Sequence, residues 1–239
     1  MELTDLSLDI YLIRHADAPA GFPNHWSSLS TPLSQIGIKQ AKNLAEQLKN
    51  HSFDAIFTSP FTRAKQTAEI IADICEQVEI QEQNWLAEID VGEWAGRLKS
   101  GINHKISSTV KEFLRKGYKE RGPLVSGLLS IDKKFSFPSG ESLENFWNRV
   151  TKGFNETLNQ FRGLSSKNLC FIGHGGSFSV IVLNLINKSF KDDNFPVFMF
   201  NKADLTLIRI KNRQVFFLQI NPFRCPPKEV ISVSNGKLD

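Results

Sequence analysis

Cysteine is scarce in this chain: Cys75, Cys170 and Cys225 are widely spaced and odd in number. They offer neither a disulfide framework nor a zinc cluster, and the thiols are expected to be reduced. Long apolar runs are absent too. The stretch from Phe178 to Ile186 is interrupted by Ser179 and Asn184 and is too short to span a bilayer. The first residues, Met1-Glu2-Leu3-Thr4-Asp5, are acidic and lack the basic segment and apolar core of a signal peptide. These absences lead to the expectation of a cytoplasmic protein with no membrane partner. No internal repeat, low-complexity segment or linker is visible.

What is present is an ordinary globular composition, 41% hydrophobic and 23% charged over 239 residues, with enough chain to bury a substantial core. The net charge of +4 is unevenly spread. Between Arg97 and Lys134 ten Lys and Arg face three acids, Glu112, Glu120 and Asp132, a local charge of +7. That segment reads either as a solvated helical surface or as a basic cap that draws in an anionic substrate. No nucleic-acid motif and no interleaved aromatic platform accompanies it, so a nucleic-acid partner is not expected.

The run Leu8 to Ile13 predicts a buried strand that ends at Arg14-His15. A loop rich in Pro, Gly and Ser follows. Ala41, Leu44, Ala45 and Leu48 then stand at helical spacing, in a helix opening near Ser34. Asp54 to Thr58 predicts a second strand. Ser59-Pro60 reads as an N-cap and first-turn proline, with Phe61, Ala64, Ala68, Ile71 and Cys75 on the apolar face of the helix. Val78 to Ile80 predicts a third strand. After Trp94 the alternation is lost, and residues 97–137 read as an inserted helical cap with loops. Leu143 to Phe161 predicts a long amphipathic helix and Asn168 to Ile172 a buried strand. Gly173-His174-Gly175-Gly176 leads into a helix through Leu185, and Leu205–Ile210 and Val215–Ile220 form a hairpin about Lys211-Asn212-Arg213. The expected fold is α/β, a three-layer sandwich whose mostly parallel central sheet is flanked by helices, with a cap insertion and a C-terminal antiparallel hairpin. One domain over 1–239, interrupted by the cap, fits better than two, because the elements after residue 138 complete the same pattern.

Arg14-His15, Ser59 to Arg63 and His174-Gly175-Gly176 each follow a buried strand. Ligands of parallel sheets bind beyond the carboxyl ends of the strands, so two histidines and two arginines are expected to meet at one edge. Helix N-termini near Pro60 and Gly176 would add free N–H groups and partial positive charge there. The set suits phosphate: each arginine can grip two oxygens, and a histidine can attack phosphorus. Singly the pieces are ordinary: a structural histidine, a solvated arginine, a tight glycine turn. Their weight lies in occurring together at equivalent strand ends.

Six blocks, in order, resemble the histidine phosphatase (phosphoglycerate mutase-like) superfamily. They are Arg14-His15-Ala16, Pro32-Leu33-Ser34-Gln35-Ile36-Gly37, the Ser59–Arg63-Ala64 block through Thr67-Ala68, Leu86-Ala87-Glu88 with Gly92-Glu93-Trp94-Ala95-Gly96, Pro138-Ser139-Gly140-Glu141-Ser142, and Gly173-His174-Gly175-Gly176. The resemblance runs from Leu8 to about Ile186 and is thin over 97–137. It implies a phosphomonoesterase that works through a phosphohistidine, with His15 as nucleophile and Glu88 as proton donor and then acceptor. It further implies that Arg14, Arg63, His174 and the Gly175 N–H bind the substrate phosphoryl group, without metal or other cofactor. Asp90 and Glu93 are rivals to Glu88, with surface carboxylates as their plainer reading.

Two departures stand out. Ala16 replaces the family's glycine and brings a methyl group close to the phosphate. The loop 17–30 lacks the family's Glu-x-x-Trp-Asn continuation, which leaves Asn24, His25, Ser27, Ser28 and Ser30 as candidates for a replacement contact. His25 and Trp26 read equally as a packing pair, and His51 and His104 as surface residues. A phosphomutase shares every catalytic residue and is the first alternative. The stretch Glu88-Ile89-Asp90-Val91-Gly92-Glu93-Trp94-Ala95-Gly96 is more similar to the phosphatase branch. A phosphate-recognising module without catalysis is the second alternative, disfavoured because a binder has no use for Glu88.

Overall fold

The apolar residues of the first strand alternate between two cores, and that alternation sets the layers. In the computed structural model, which describes residues 3–19, 28–75, 78–96, 133–192, 198, 200–220, 230–234 and 237–238, β1 spans Leu8–Arg14. Leu8, Ile10 and Leu12 face one core, while Tyr11 and Ile13 face the other. β2 (Ala55–Thr58) and β4 (Lys167–Gly173) divide in the same way: Phe57 and Phe171 point to the first core, Ile56 and Ile172 to the second. Helices α1 (Gln35–Leu48) and α2 (Thr62–Ile74) cover the second core through Leu44, Leu48, Ala68 and Ile71. On the opposite face lie α3 (Leu143–Asn159) and α4 (Gly175–Leu185), which bring Phe146, Val150, Phe154 and Phe178 to the first core. A sheet buried on both sides favours continuous apolar runs in its inner strands, and Ile10–Ile13 of β1 and Leu169–Ile172 of β4 are such runs.

With β3 (Ile80–Glu82), β5 (Leu205–Lys211), β6 (Gln214–Ile220), β7 (Val230–Ser234) and β8 (Lys237–Leu238), the strand order is β3-β2-β4-β1-β5-β6-β7-β8. Over the first six strands of that order the sheet is mostly parallel: β3, β2, β4 and β1 run together, β5 pairs antiparallel with β1, and β6 pairs antiparallel with β5. β1, β2 and β4 therefore present their carboxyl ends at one edge. The β5–β6 hairpin turns at Asn212 and Arg213, both at positive φ (53° and 65°), a pairing that matches the twist of the flanking strands.

Several expectations are corrected in detail. α2 opens at Thr62, not at Ser59-Pro60: the Ser59 hydroxyl accepts from the Phe61 N–H and pairs with His174, and the helix begins after Phe61 without a side-chain cap. The third strand begins at Ile80, where it pairs with β2 from the sheet edge, rather than at Val78. α3 stops at Asn159, although Phe161 beyond it still packs against the first core. Strands β7 and β8 were not expected at all. His51, read as a surface residue, is half-buried with its ring edge-on to Tyr11. Of the expected cap, residues 97–132 lie outside the described residues, as does His104. Its returning limb is described: Ser136 bridges to Ser142, and Phe135 and Phe137 pack on Trp94. Among the described residues no helix is long and apolar enough to cross a membrane.

Candidate active site

The sheet edge gathers the expected side chains. His15 follows β1, and its backbone N–H donates to the Gly173 carbonyl of β4 (3.0 Å), so the first histidine loop is tied to the second. The His15 ring is 6% exposed, Arg63 on α2 is 4% exposed and His174, the residue that caps α4, is 1% exposed. The two imidazoles lie with centroids 5.0 Å apart. Arg63 bridges them, donating from Nε to His15 Nε2 (3.1 Å) and from Nη2 to His174 Nδ1 (3.3 Å). Its remaining arm reaches the Ser28 carbonyl (3.0 Å), and its guanidinium lies over the Phe61 ring (4.6 Å).

An arginine can only donate, and this fixes both tautomers. His15 Nε2 must hold the lone pair, so its proton is on Nδ1 and is donated to the Ala16 carbonyl (2.7 Å). His174 accepts at Nδ1 and donates from Nε2 to Ser59 Oγ (2.8 Å). Burial first, and then the charge of Arg63, hold both histidines well below the usual imidazole value of 6.5. Both rings are thus neutral at physiological pH, and His15 presents an unprotonated nitrogen. Burial also brings Arg63 down to about 10, opposed by the Glu88 carboxyl, so it stays charged in the same range.

The neutral histidines carry a stability consequence. An unfolded chain takes up protons on them below about pH 6.5, whereas the folded chain refuses them, so stability is lost as pH falls through that value. Each histidine contributes up to about 1.4 kcal/mol per pH unit in that window. Thermal melting followed from pH 7.5 to 5.5, above the range where carboxylates titrate, should show a falling midpoint. The slope should be shallower in His174→Gln; an unchanged slope would mean that the imidazoles are not held neutral.

Arg14, at the end of β1, donates from Nη1 to the Phe200 carbonyl (2.6 Å). It lies beside Gly175, where a Cβ would stand 3.8 Å from its Cζ. Gly175 opens α4, so its N–H is among those a helix leaves without an internal partner. Glu88 reaches the same helix end: its Oε2 accepts from the Gly176 N–H (3.0 Å), and its Oε1 from the Ile89 N–H (3.0 Å). All six expected site residues therefore converge. The rivals serve turns instead: Asp90 accepts from the Gly92 N–H and Glu93 from the Ser139 hydroxyl.

Ala16 does not crowd the phosphate region. Its methyl group is fully buried with Leu33, Ala41 and Ala203. Of the loop candidates, Ser28 and Ser30 are described and hydrogen-bond to each other, Ser28 also to Thr31, while Asn24, His25, Ser27 and Trp26 lie outside the described residues. The loop after His15 is locked by Thr67, whose hydroxyl accepts from the Ala16 N–H (3.2 Å) and donates to the Arg63 carbonyl (2.8 Å). Below it, Ser34 caps α1 at the Gly37 N–H and bonds Asp17. A Cβ on Gly37 would strike the Asp17 carbonyl, which gives the glycine of the Pro-Leu-Ser-x-x-Gly block its reason. Thr67 was not expected as part of the site, nor was Arg149, whose charge is among those lowering His174. Thr67 stands inside a matched block, which was a usable signal; Arg149 had none.

Among the described residues no group of three or more His, Cys, Asp or Glu is placed to hold a metal ion. Residues 10–222 match the family model of the histidine phosphatase superfamily, branch 1. Phosphoserine phosphatase 1 of Hydrogenobacter thermophilus is 26% identical over 213 residues, 89% of this chain and 91% of that protein. The adenosylcobalamin/alpha-ribazole phosphatase of Escherichia coli is 26% identical over 179 residues, 74% of this chain and 78% of its own. The crystal structure of the alpha-ribazole phosphatase from Shigella flexneri superposes with a TM-score of 0.68 at 24% identity, covering 89% of this chain and 96% of that one, a likeness of fold.

Proposed function

Because the chain belongs to the histidine phosphatase superfamily, branch 1, we propose the following division of labour for a phosphomonoesterase that works through a phosphohistidine. The carrying observation is the orientation of His15: a buried, neutral imidazole whose Nε2 lone pair meets Arg63 and whose Nδ1 proton is held by the Ala16 carbonyl. Nε2 attacks phosphorus, the bond from phosphorus to the ester oxygen breaks, and the leaving oxygen takes a proton from Glu88. The imidazole becomes positive as the N–P bond forms, and the Ala16 carbonyl stabilises that charge. Arg63 exchanges its histidine contacts for phosphoryl oxygens, joined by Arg14, His174 and the Gly175 N–H, so that charge on the equatorial oxygens meets preorganised donors. Glu88, now ionised, takes a proton from water. The hydroxide attacks phosphorus, the N–P bond breaks, and inorganic phosphate leaves with His15 neutral again.

The substrate is an anionic phosphomonoester. Phosphoserine and the phosphorylated ribazole named for the relatives are the first compounds to try, beside sugar phosphates, nucleotides and phosphopeptides. We read the chain as one domain, supported by the return of the later strands to the sheet of β1. A cytoplasmic setting is supported by the free, buried thiols of Cys75 and Cys170.

The test is release of inorganic phosphate by the purified full chain across such a panel, before and after dialysis against a strong chelator. Activity should survive dialysis, because arginine and histidine donors meet the phosphoryl charge. Loss of activity that Mg²⁺, Mn²⁺ or Zn²⁺ restores would overturn the metal-free reading. Transfer to a second hydroxyl in preference to water would indicate a mutase, and no turnover of any ester a binding module.

A further inference from the structure

Arg149, on the second turn of α3, stands outside the phosphate-binding set, yet its guanidinium is fully engaged. Nε and Nη2 grip the Glu141 carboxylate as a fork, at 2.9 and 2.8 Å. Nη1 donates to the carbonyls of Asn84 (3.2 Å), Trp85 (2.9 Å) and Ala87 (3.3 Å), and Nη2 reaches the Glu88 carbonyl at 3.5 Å. Glu141 closes the other side: its Oε2 accepts from the Asp90 N–H (3.3 Å), and its own N–H donates to the Asp90 carbonyl (2.9 Å). The Phe146 ring supports the guanidinium from below at 5.1 Å. Thus one ion pair ties the backbone on both sides of Glu88.

That backbone needs an external clasp. Residues Asn84–Leu86 form a single turn of 3₁₀-helix whose last bond runs from the Ala87 N–H to the Asn84 carbonyl, and Arg149 donates to that carbonyl and to those of Trp85 and Ala87 beyond it. The chain then extends at Ala87 (ψ 149°) and carries Glu88 to the N-terminus of α4. A planar fork with five donors matches several converging carbonyls and one carboxylate; a lysine ammonium does not. Among the described residues the Glu88 side chain is held by the Gly176 and Ile89 N–H groups, so its place at the N-terminus of α4 depends on where the turn holds its main chain.

We propose that Arg149, locked by Glu141, is a positioning residue for the proton donor Glu88 and serves leaving-group protonation rather than phosphate binding. This rests on Glu88 being the acid, and the experiment separates the two. The value of kcat/KM is measured for phosphate monoesters of p-nitrophenol, phenol and a simple alkyl alcohol in wild type, Arg149→Lys, Arg149→Ala, Glu141→Gln and Glu88→Gln. A good leaving group departs without a proton, whereas an alkoxide needs one. Misplacing the acid by about 1 Å costs on the order of 10²-fold where protonation matters. Arg149→Ala should therefore lose about 10²-fold on the alkyl ester and no more than about threefold on p-nitrophenyl phosphate, with vanadate inhibition unchanged. Arg149→Lys and Glu141→Gln should show the same tilt at smaller size, and they carry the test if the alanine variant does not fold. An even loss on all three esters, or weakened vanadate binding, would mean a general packing role and overturn the proposal. If Glu88→Gln is tilted and the Arg149 and Glu141 variants are not, positioning fails while the acid stands. If Glu88→Gln shows no tilt, the acid assignment falls and this proposal with it.

Discussion

His15→Ala is expected to lose at least about 10³-fold in turnover while keeping its affinity for phosphate within a few-fold, because removing a covalent nucleophile deletes the chemical step and leaves the donors in place. Arg14, Arg63, His174 and the α4 N-terminus do not depend on the His15 ring for their backbone positions; the Arg63 Nε–H loses its acceptor and the Ala16 carbonyl its donor. In wild type, a reaction with ³²P-labelled ester quenched at alkaline pH should leave acid-labile label on the protein. The label should be absent from His15→Ala. Turnover without any trapped label, or label undiminished in the variant, would place the nucleophile elsewhere. A melting curve beside each assay separates lost chemistry from lost fold.

The size of that loss follows from the tautomer. A surface imidazole is partly protonated near neutrality, and its nucleophilic nitrogen varies with the tautomer. Here burial and the charges of Arg63, Arg14 and Lys202 keep the ring neutral, and the Ala16 carbonyl selects the Nδ1–H form, so Nε2 is the attacking atom. None of this was visible from Arg14-His15-Ala16 as three letters. The motif located the residue at a strand end; of the two hydrogen bonds that set its tautomer, one comes from Ala16 beside it and the other from Arg63 on α2, nearly fifty residues later.

The legible parts of the fold share one physical property: their signal is local. β1 and β4 are continuous apolar runs because both faces of the sheet are covered, and Ser34 caps α1 through a contact three residues away. The errors arise where a residue answers to a distant partner. Ser59 followed by Pro60 has the chemistry of an N-cap, but its hydroxyl pairs with His174 on the neighbouring strand end, and α2 starts at Thr62 without a side-chain cap. β3 lies at the sheet edge with half-buried and exposed residues, so no alternation marks where it begins. Arg149 carries no local signal, because the carbonyls it binds converge only after the 3₁₀ turn has formed. Convergence of Arg14, His15, Arg63, His174 and Gly175 was legible because sheet topology brings the carboxyl ends of β1, β2 and β4 together, whereas Glu88, beyond the 3₁₀ turn, was placed by the resemblance.

The second large effect is expected at Arg63. Arg63→Ala should lower kcat/KM by about 10² to 10³-fold, the range seen when one preorganised donor to a developing anion is removed. Arg63→Lys should recover only a small part of it. Arg63 meets His15, His174 and the Ser28 carbonyl with three different nitrogens, and its guanidinium rests on Phe61. A lysine ammonium keeps the charge but not the span, so it can hold one phosphoryl oxygen and cannot bridge both imidazoles. The arginine also acts on proton affinity: after burial, it is the largest influence lowering both histidines. Removing it should raise both toward 6.5, so the acid limb of kcat/KM should move to higher pH in the alanine variant and much less in the lysine variant, which retains the cation. Single-turnover rates against pH would separate the lost donors from the shifted histidines. An alanine variant within tenfold of wild type, with an unmoved acid limb, would remove Arg63 from the centre of the site and leave Arg14 to carry the phosphoryl charge.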